Sequence, residues 1–127
     1  MTTPSPLAAA ALVAFGGGGG AWLRYAAGRA IPAGAFPWAT LSVNVAGSFA
    51  MGLLAGWLAR NGHAESWRLL LGVGLLGGFT TFSAFSFELA SMIERGALGG
   101  ALVYAAVSVI AGVAGLFAGL LLMRVAT

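Results

Sequence analysis

The chain has no cysteine, no lysine and no aspartate. Without cysteine there can be no disulfide, no thiolate metal ligand and no thiol chemistry. One histidine, His63 in a predicted loop, and three glutamates cannot assemble a catalytic metal centre. Charge of either sign is scarce: 7% of the 127 residues are charged and 60% are hydrophobic, where a soluble domain carries about 25% charged residues. With a mean hydropathy of +0.97, this composition is that of an integral membrane protein, and the length allows one domain, residues 1–127. The net charge of +3 comes from six arginines, nearly all at expected helix ends, where guanidinium groups reach lipid headgroups. No basic run or aromatic–basic platform supports nucleic-acid binding.

What is present is long apolar runs. Four spans fit, over about residues 7–28, 38–59, 67–93 and 97–123, each close to the 20 or so residues a bilayer requires. The fold class is therefore all-α and multi-pass, with the third span interrupted near its middle. Pro32 and Pro37 bracket the first connection, Asn61-Gly62 marks the second and Arg95-Gly96 the third. The first apolar run is read as a span and not as a cleaved signal, because it is long and no basic residue precedes it.

Arg60, Arg68 and Arg124 fall on one side of the membrane and Arg24, Arg29 and Arg95 on the other. Orientation follows arginine bias, and here there is none. Insertion in both orientations would allow an antiparallel dimer; an even count in a small sample would mean nothing. Both readings stand at this point. The small-xxx-small pairs Gly52/Gly56, Gly74/Gly78 and Gly115/Gly119 permit close helix approach, within one chain or between two. The run Gly16–Gly20 offers a face free of side chains.

The string GGFTTFSAFSFE at residues 77–88 is poor material for a lipid-facing span. Polar groups at membrane depth are costly and face a cavity, a partner or an ion path. Phe79, Phe82 and Phe85 recur every three residues and alternate with Thr80, Thr81, Ser83 and Ser86. Ring edges carry partial positive charge and hydroxyls donate, so this track suits a small anion. A break near Gly77–Thr81 would expose backbone carbonyls, which are ligands for a hard cation. The alternative is a glycine kink with hydroxyls bonded back to their own helix.

Span 2 carries Thr40, Asn44 and Ser48 on one face, and span 4 carries Tyr104 and Ser108 at the same spacing. The Asn44 amide could serve an anion or a partner helix. Glu88 is the one carboxylate within reach of a span interior. It is either functional or interfacial. Arg24 is either an anion attractor at a mouth or a snorkelling anchor. No nucleophile–base pair or phosphate loop is present, and enzyme activity is not expected.

These residues resemble the Fluc (CrcB) family of fluoride channels. GGGGGAWLRY at residues 16–25 is similar to the family's glycine-rich first helix, TLSVNVAGSF at 40–49 to its second-helix motif and GGFTTFSAFSFE to its third. Tyr104 and Ser108 fit its fourth. The resemblance covers nearly the whole chain. It implies a dual-topology homodimer in the inner (plasma) membrane, with two antiparallel pathways for passive export of fluoride from the cytoplasm. Phe82 and Phe85 would contact fluoride through ring edges, and Asn44 would position it. Thr40, Thr81, Ser83, Tyr104 and Ser108 would line the polar track. The backbone carbonyls of Gly77 and Thr80 from both subunits would hold a structural sodium ion. Arg24 would lie near a vestibule and Glu88 near a pore end. Two positions depart from the family pattern: Ala84 stands where threonine is common and Ala39 where glycine is.

Two rival functions are available. A small dual-topology drug exporter would need a glutamate in its first span, and this span has none. A structural membrane subunit would explain the glycines but not the set Asn44, Phe82 and Phe85.

Overall fold

The structure, a computed structural model, describes residues 3–62 and 64–126; His63, expected in a loop, lies outside them. Helix α1 (Pro6–Ala30) opens where Ser5 Oγ accepts from the Ala8 N–H, with Pro6 at the first helical position. A hydroxyl cap followed by proline is a strong helix start. Pro32 and Pro37 keep residues 31–37 out of helix before α2 (Trp38–Arg60) begins. Gly62, at φ 70°, turns the chain after α2. The third span, α3 (Glu65–Glu94), ends in a Schellman motif: the Ala97 N–H reaches the Met92 carbonyl, the Gly96 N–H reaches that of Ile93, and Gly96 takes φ +77°. Glycine is favoured there because a Cβ would strain a left-handed residue. Helix α4 (Leu98–Val125) completes the bundle.

All four helices are long and apolar enough to cross a membrane, with α4 the most apolar at a mean hydropathy of 2.3. The chain is a multi-pass, all-α membrane protein with one interrupted span. Large apolar side chains such as Phe15, Trp22, Leu102 and Ile110 point outward, as lipid permits and water would not.

The interruption of α3 falls within the stretch Gly77–Thr81 that the sequence marks, at its threonine end. Gly77 and Gly78 stay helical. The non-helical residues are Thr80 (φ −80°, ψ 154°) and Thr81 (φ −150°, ψ 117°). Upstream, Arg68–Leu76 winds as a π-helix, with the Gly77 N–H reaching the Gly72 carbonyl five residues back. No periodicity in the sequence announces this winding.

The bundle is two helix pairs, α1 along the first half of α3 and α2 along α4. Both are glycine-seated. A Cβ on Gly16 would collide with the Leu70 carbonyl, and one on Gly20 with that of Leu75. In the other pair, Gly52 seats the Leu116 carbonyl and Gly119 that of Phe49. Between helices in lipid there is no hydrophobic drive, so close van der Waals packing over small residues supplies the attraction. The pairs Gly52/Gly56, Gly74/Gly78 and Gly115/Gly119 are thus all used within the chain. At one end, Arg60 Nη1 donates to the carbonyls of Met123 (2.7 Å) and Ala126 (3.1 Å), fastening α2 to the last turn of α4. A cation is favoured at a helix C-terminus, where carbonyls lack donors.

Candidate polar–aromatic track

The break in α3 organises the site. At membrane depth every backbone polar group needs a partner within the protein, and Thr81 finds both of its partners on one side chain. The Asn44 amide of α2 accepts from the Thr81 N–H at 2.8 Å and donates to the Thr81 carbonyl at 3.0 Å. A primary amide offers a donor and an acceptor side by side, as a neighbouring β-strand would. The interhelical role weighed for Asn44 is therefore present, and the second Nδ2 hydrogen remains for another acceptor.

Thr81 then starts the second half of α3. Its Oγ1 accepts from the Ala84 N–H at 3.1 Å, a hydroxyl N-cap, and lies 3.2 Å from Ser83 Oγ. In an unbroken helix the Thr81 N–H would serve the Gly77 carbonyl, and the Ala84 N–H that of Thr80. Both donors are diverted, so the break strips the Gly77 and Thr80 carbonyls of their helical partners. The neighbouring Gly78 carbonyl accepts from Arg24 Nε of α1 at 3.1 Å. Thr80 Oγ1 bonds back to the Leu76 carbonyl at 2.8 Å. Among the described residues no three His, Cys, Asp or Glu side chains converge.

About two turns further along the second half, Glu88 accepts two hydrogen bonds. Thr40 Oγ1 donates to Oε1 at 2.7 Å and the Tyr104 hydroxyl to Oε2 at 2.8 Å. Thr40 comes from α2 and Tyr104 from α4, so the carboxylate ties three helices together. Phe82 and Phe85 lie 5.6 Å apart by ring centroid, and Phe85 stacks on Tyr104 at 5.0 Å. Phe79 stays on the far side of the break beside Gly47, so the three-residue aromatic stripe does not continue through it.

Two clefts run along these groups. One, of about 430 Å³, is lined by Arg24, Tyr25, Arg29, Thr40, Thr81 and Glu88. The other, of about 290 Å³, is lined by Asn44, Ser48, Thr80, Thr81 and Phe82. Contacts thus form two groups, Asn44–Thr81–Ser83 and Thr40–Glu88–Tyr104–Phe85–Phe82, which meet along the walls of the two clefts. Ser108 stands apart: its Oγ is buried and makes no hydrogen bond among the described residues. Sequence reasoning missed Phe36, from the α1–α2 connection, whose ring packs on Tyr104 at 5.5 Å. Its only signal was an aromatic between two prolines.

A family model described as CrcB-like protein, Camphor Resistance (CrcB), matches residues 11–120. The chain belongs to the CrcB family. It is 60% identical over 123 residues to the fluoride-specific ion channel FluC of Novosphingobium aromaticivorans, covering 93% of this chain and 98% of that protein. It is 56% identical over 119 residues to FluC of Phenylobacterium zucineum, covering 89% and 93%. With FluC of Caulobacter vibrioides the identity is 52% over 119 residues, at the same coverage.

Proposed function

We propose that this chain is a passive, fluoride-selective channel that lets fluoride leave the cytoplasm across the inner membrane, working as an antiparallel homodimer with two pathways. The observation that supports this reading is that two groups, Asn44–Thr81 and Phe82–Phe85–Tyr104–Glu88–Thr40, set hydroxyl, amide and ring groups along two clefts, in a chain whose relatives bear the name of fluoride channels. Fluoride is small and strongly hydrated, so stripping its water demands many donors in a narrow space; a larger halide does not fit the same contacts. Phe82 and Phe85 present ring edges, and Asn44 offers its remaining amide hydrogen. Ser83 adds its hydroxyl beside Thr81, and Ser108 would supply a further donor on α4. Arg24 raises the local anion concentration at the wider cleft.

A second copy is the natural cover for the exposed side of the track. Phe82 is 78% exposed although it lies at the break, beside the Asn44 cleft. The balanced arginines favour insertion both ways. In such a dimer the Gly77 and Thr80 carbonyls of both copies would hold a sodium ion, and the fit rests on the loss of their helical donors. The ion would neutralise converging carbonyl dipoles and fasten the two copies together.

The test is efflux from potassium-loaded liposomes with valinomycin, followed by fluoride- and chloride-selective electrodes. Fast fluoride release with negligible chloride release is expected, and no fluoride release from folded protein would sink the reading. Because the chain lacks cysteine, a single Asn61→Cys probe reports orientation. An impermeant maleimide should label about half the molecules from each side; labelling from one side only would remove the dual topology.

A further inference from the structure

The Tyr104 ring is fully buried and is held on two sides. Phe85 stacks on it with 30° between planes, and Phe36 leans on it with 47°. Phe85 belongs to the track already described. Phe36 comes from the connection between α1 and α2, and it is itself well seated. The Trp38 ring packs on it at 4.7 Å, its carbonyl accepts from the Trp38 N–H at 2.9 Å, and its side chain rests on the buried cluster of Met92, Ala101 and Tyr104. Pro37 biases the residue before it away from helical backbone, which keeps the connection that carries the ring out of helix.

Tyr104 acts through its hydroxyl, which engages one oxygen of Glu88 while Thr40 engages the other. Glu88 stands where two clefts meet. It lines the cleft with Arg24 and Thr81, and also a second one of about 290 Å³ beneath the α1–α2 connection, shared with Phe36, Ser91 and Arg95. A carboxylate at such a junction acts on a passing anion through its charge, and the two donors fix where that charge sits. The aim of one of those donors depends on a ring wedged between Phe85 and Phe36.

We propose that Phe36 is a positioning residue for anion passage: the ring of the α1–α2 connection fixes Tyr104, and through Tyr104 it fixes the Glu88 carboxylate at the junction of the two clefts. The inference rests on the channel reading above. Phe36 acts through Tyr104 and needs no contact with the anion. The connection that carries it therefore belongs to the conducting apparatus, although it contributes no polar side chain.

Fluoride efflux from liposomes tests this with wild type, Phe36→Ala, Phe36→Leu, Tyr104→Phe and the double variant Phe36→Ala/Tyr104→Phe. Phe36→Ala should slow efflux about tenfold, the most that one aromatic pair is worth. Phe36→Leu, which refills the volume, should recover most of the rate. In the Tyr104→Phe background, where the bond to Glu88 is already gone, Phe36→Ala should change the rate less than about twofold, because groups acting through one another are not additive. A structural role alone predicts the same factor in both backgrounds and a matching fall in melting temperature. Phe36→Ala efflux equal to wild type, or an equal factor in both backgrounds, overturns the proposal. If Phe36→Ala does not fold, Phe36→Leu with and without Tyr104→Phe supplies the same comparison on a smaller scale. A silent wild type would sink the channel reading instead; a conducting wild type with additive variants would sink only the role of Phe36.

Discussion

The two halves of α3 are held by opposite means. The first half lies on α1 backbone to backbone, and its position is set by side chains that are missing: Gly16 and Gly20 on one helix, Gly74 and Gly78 on the other. The second half is set by side chains that are present. Asn44 clamps Thr81, and Thr40 and Tyr104 hold Glu88. The contrast follows from the solvent. Lipid gives intact helices no reason to associate except close packing, while it gives a broken helix every reason to find polar partners. The first half is a steric frame and the second carries the polar contacts. Arg24 couples them, since it rises from the glycine-faced α1 to the Gly78 carbonyl just before the break.

The largest effect should come from adding bulk to the frame. Gly20→Val would drive its Cβ into the Leu75 carbonyl and toward the Phe79 N–H. Backbone cannot rotate aside as a side chain can, so the cost should exceed the ~1–3 kcal/mol of ordinary overpacking. Loss of monodisperse folded protein in detergent is expected. A well-folded Gly20→Val would show that α1 and α3 do not sit as closely as described.

Next in size is the clamp. Asn44→Ala leaves the N–H and carbonyl of Thr81 without partners, at a cost of about 2 kcal/mol after partial relaxation. Melting temperature should fall while the helices still form, and fluoride efflux should fall more than about tenfold, since the break loses its shape. A variant with unchanged melting temperature and unchanged flux would dissolve the contrast between the two halves.

How much of this was legible beforehand depended on the kind of force at work. The four spans and the interrupted third one could be read from apolar length and from polar residues where lipid forbids them, and Asn44, Thr81 and Tyr104, singled out as such residues, all make hydrogen bonds between elements. The stretch Gly77–Thr81 marks the break in the sequence, but not which of its residues leaves the helix. The structure keeps Gly77 and Gly78 helical and breaks at the threonines, where Asn44 pays the hydrogen-bonding cost from another helix. That partnership is long-range, and no local propensity encodes it. The π winding of Arg68–Leu76 and the packing of Phe36 on Tyr104 were illegible for the same reason.

A smaller effect separates capping from clamping. Thr81→Ala removes the hydroxyl that accepts from the Ala84 N–H, which should cost about 1 kcal/mol, and Thr81→Ser should restore it. Both variants keep the Thr81 backbone in the Asn44 clamp, so their melting temperatures should lie between wild type and Asn44→Ala. If Thr81→Ala matched Asn44→Ala, the cap and the clamp would be one cooperative unit.

The smallest expected effect is the sharpest test of the frame. Gly18 lies in the same glycine run as Gly16 and Gly20, yet a Cβ there would meet nothing within 4 Å in this chain. Helix propensity, measured in water, favours alanine over glycine by up to about 1 kcal/mol. Within a single chain, then, Gly18→Ala should leave melting temperature unchanged or raised and leave fluoride efflux intact. A clear loss of either would mean that the open side of α1 is also covered, and in a protein this small a second copy is the cover at hand. The frame would then extend across two chains, and the run of five glycines would be explained by two neighbours: α3 of its own chain on one side and the partner on the other.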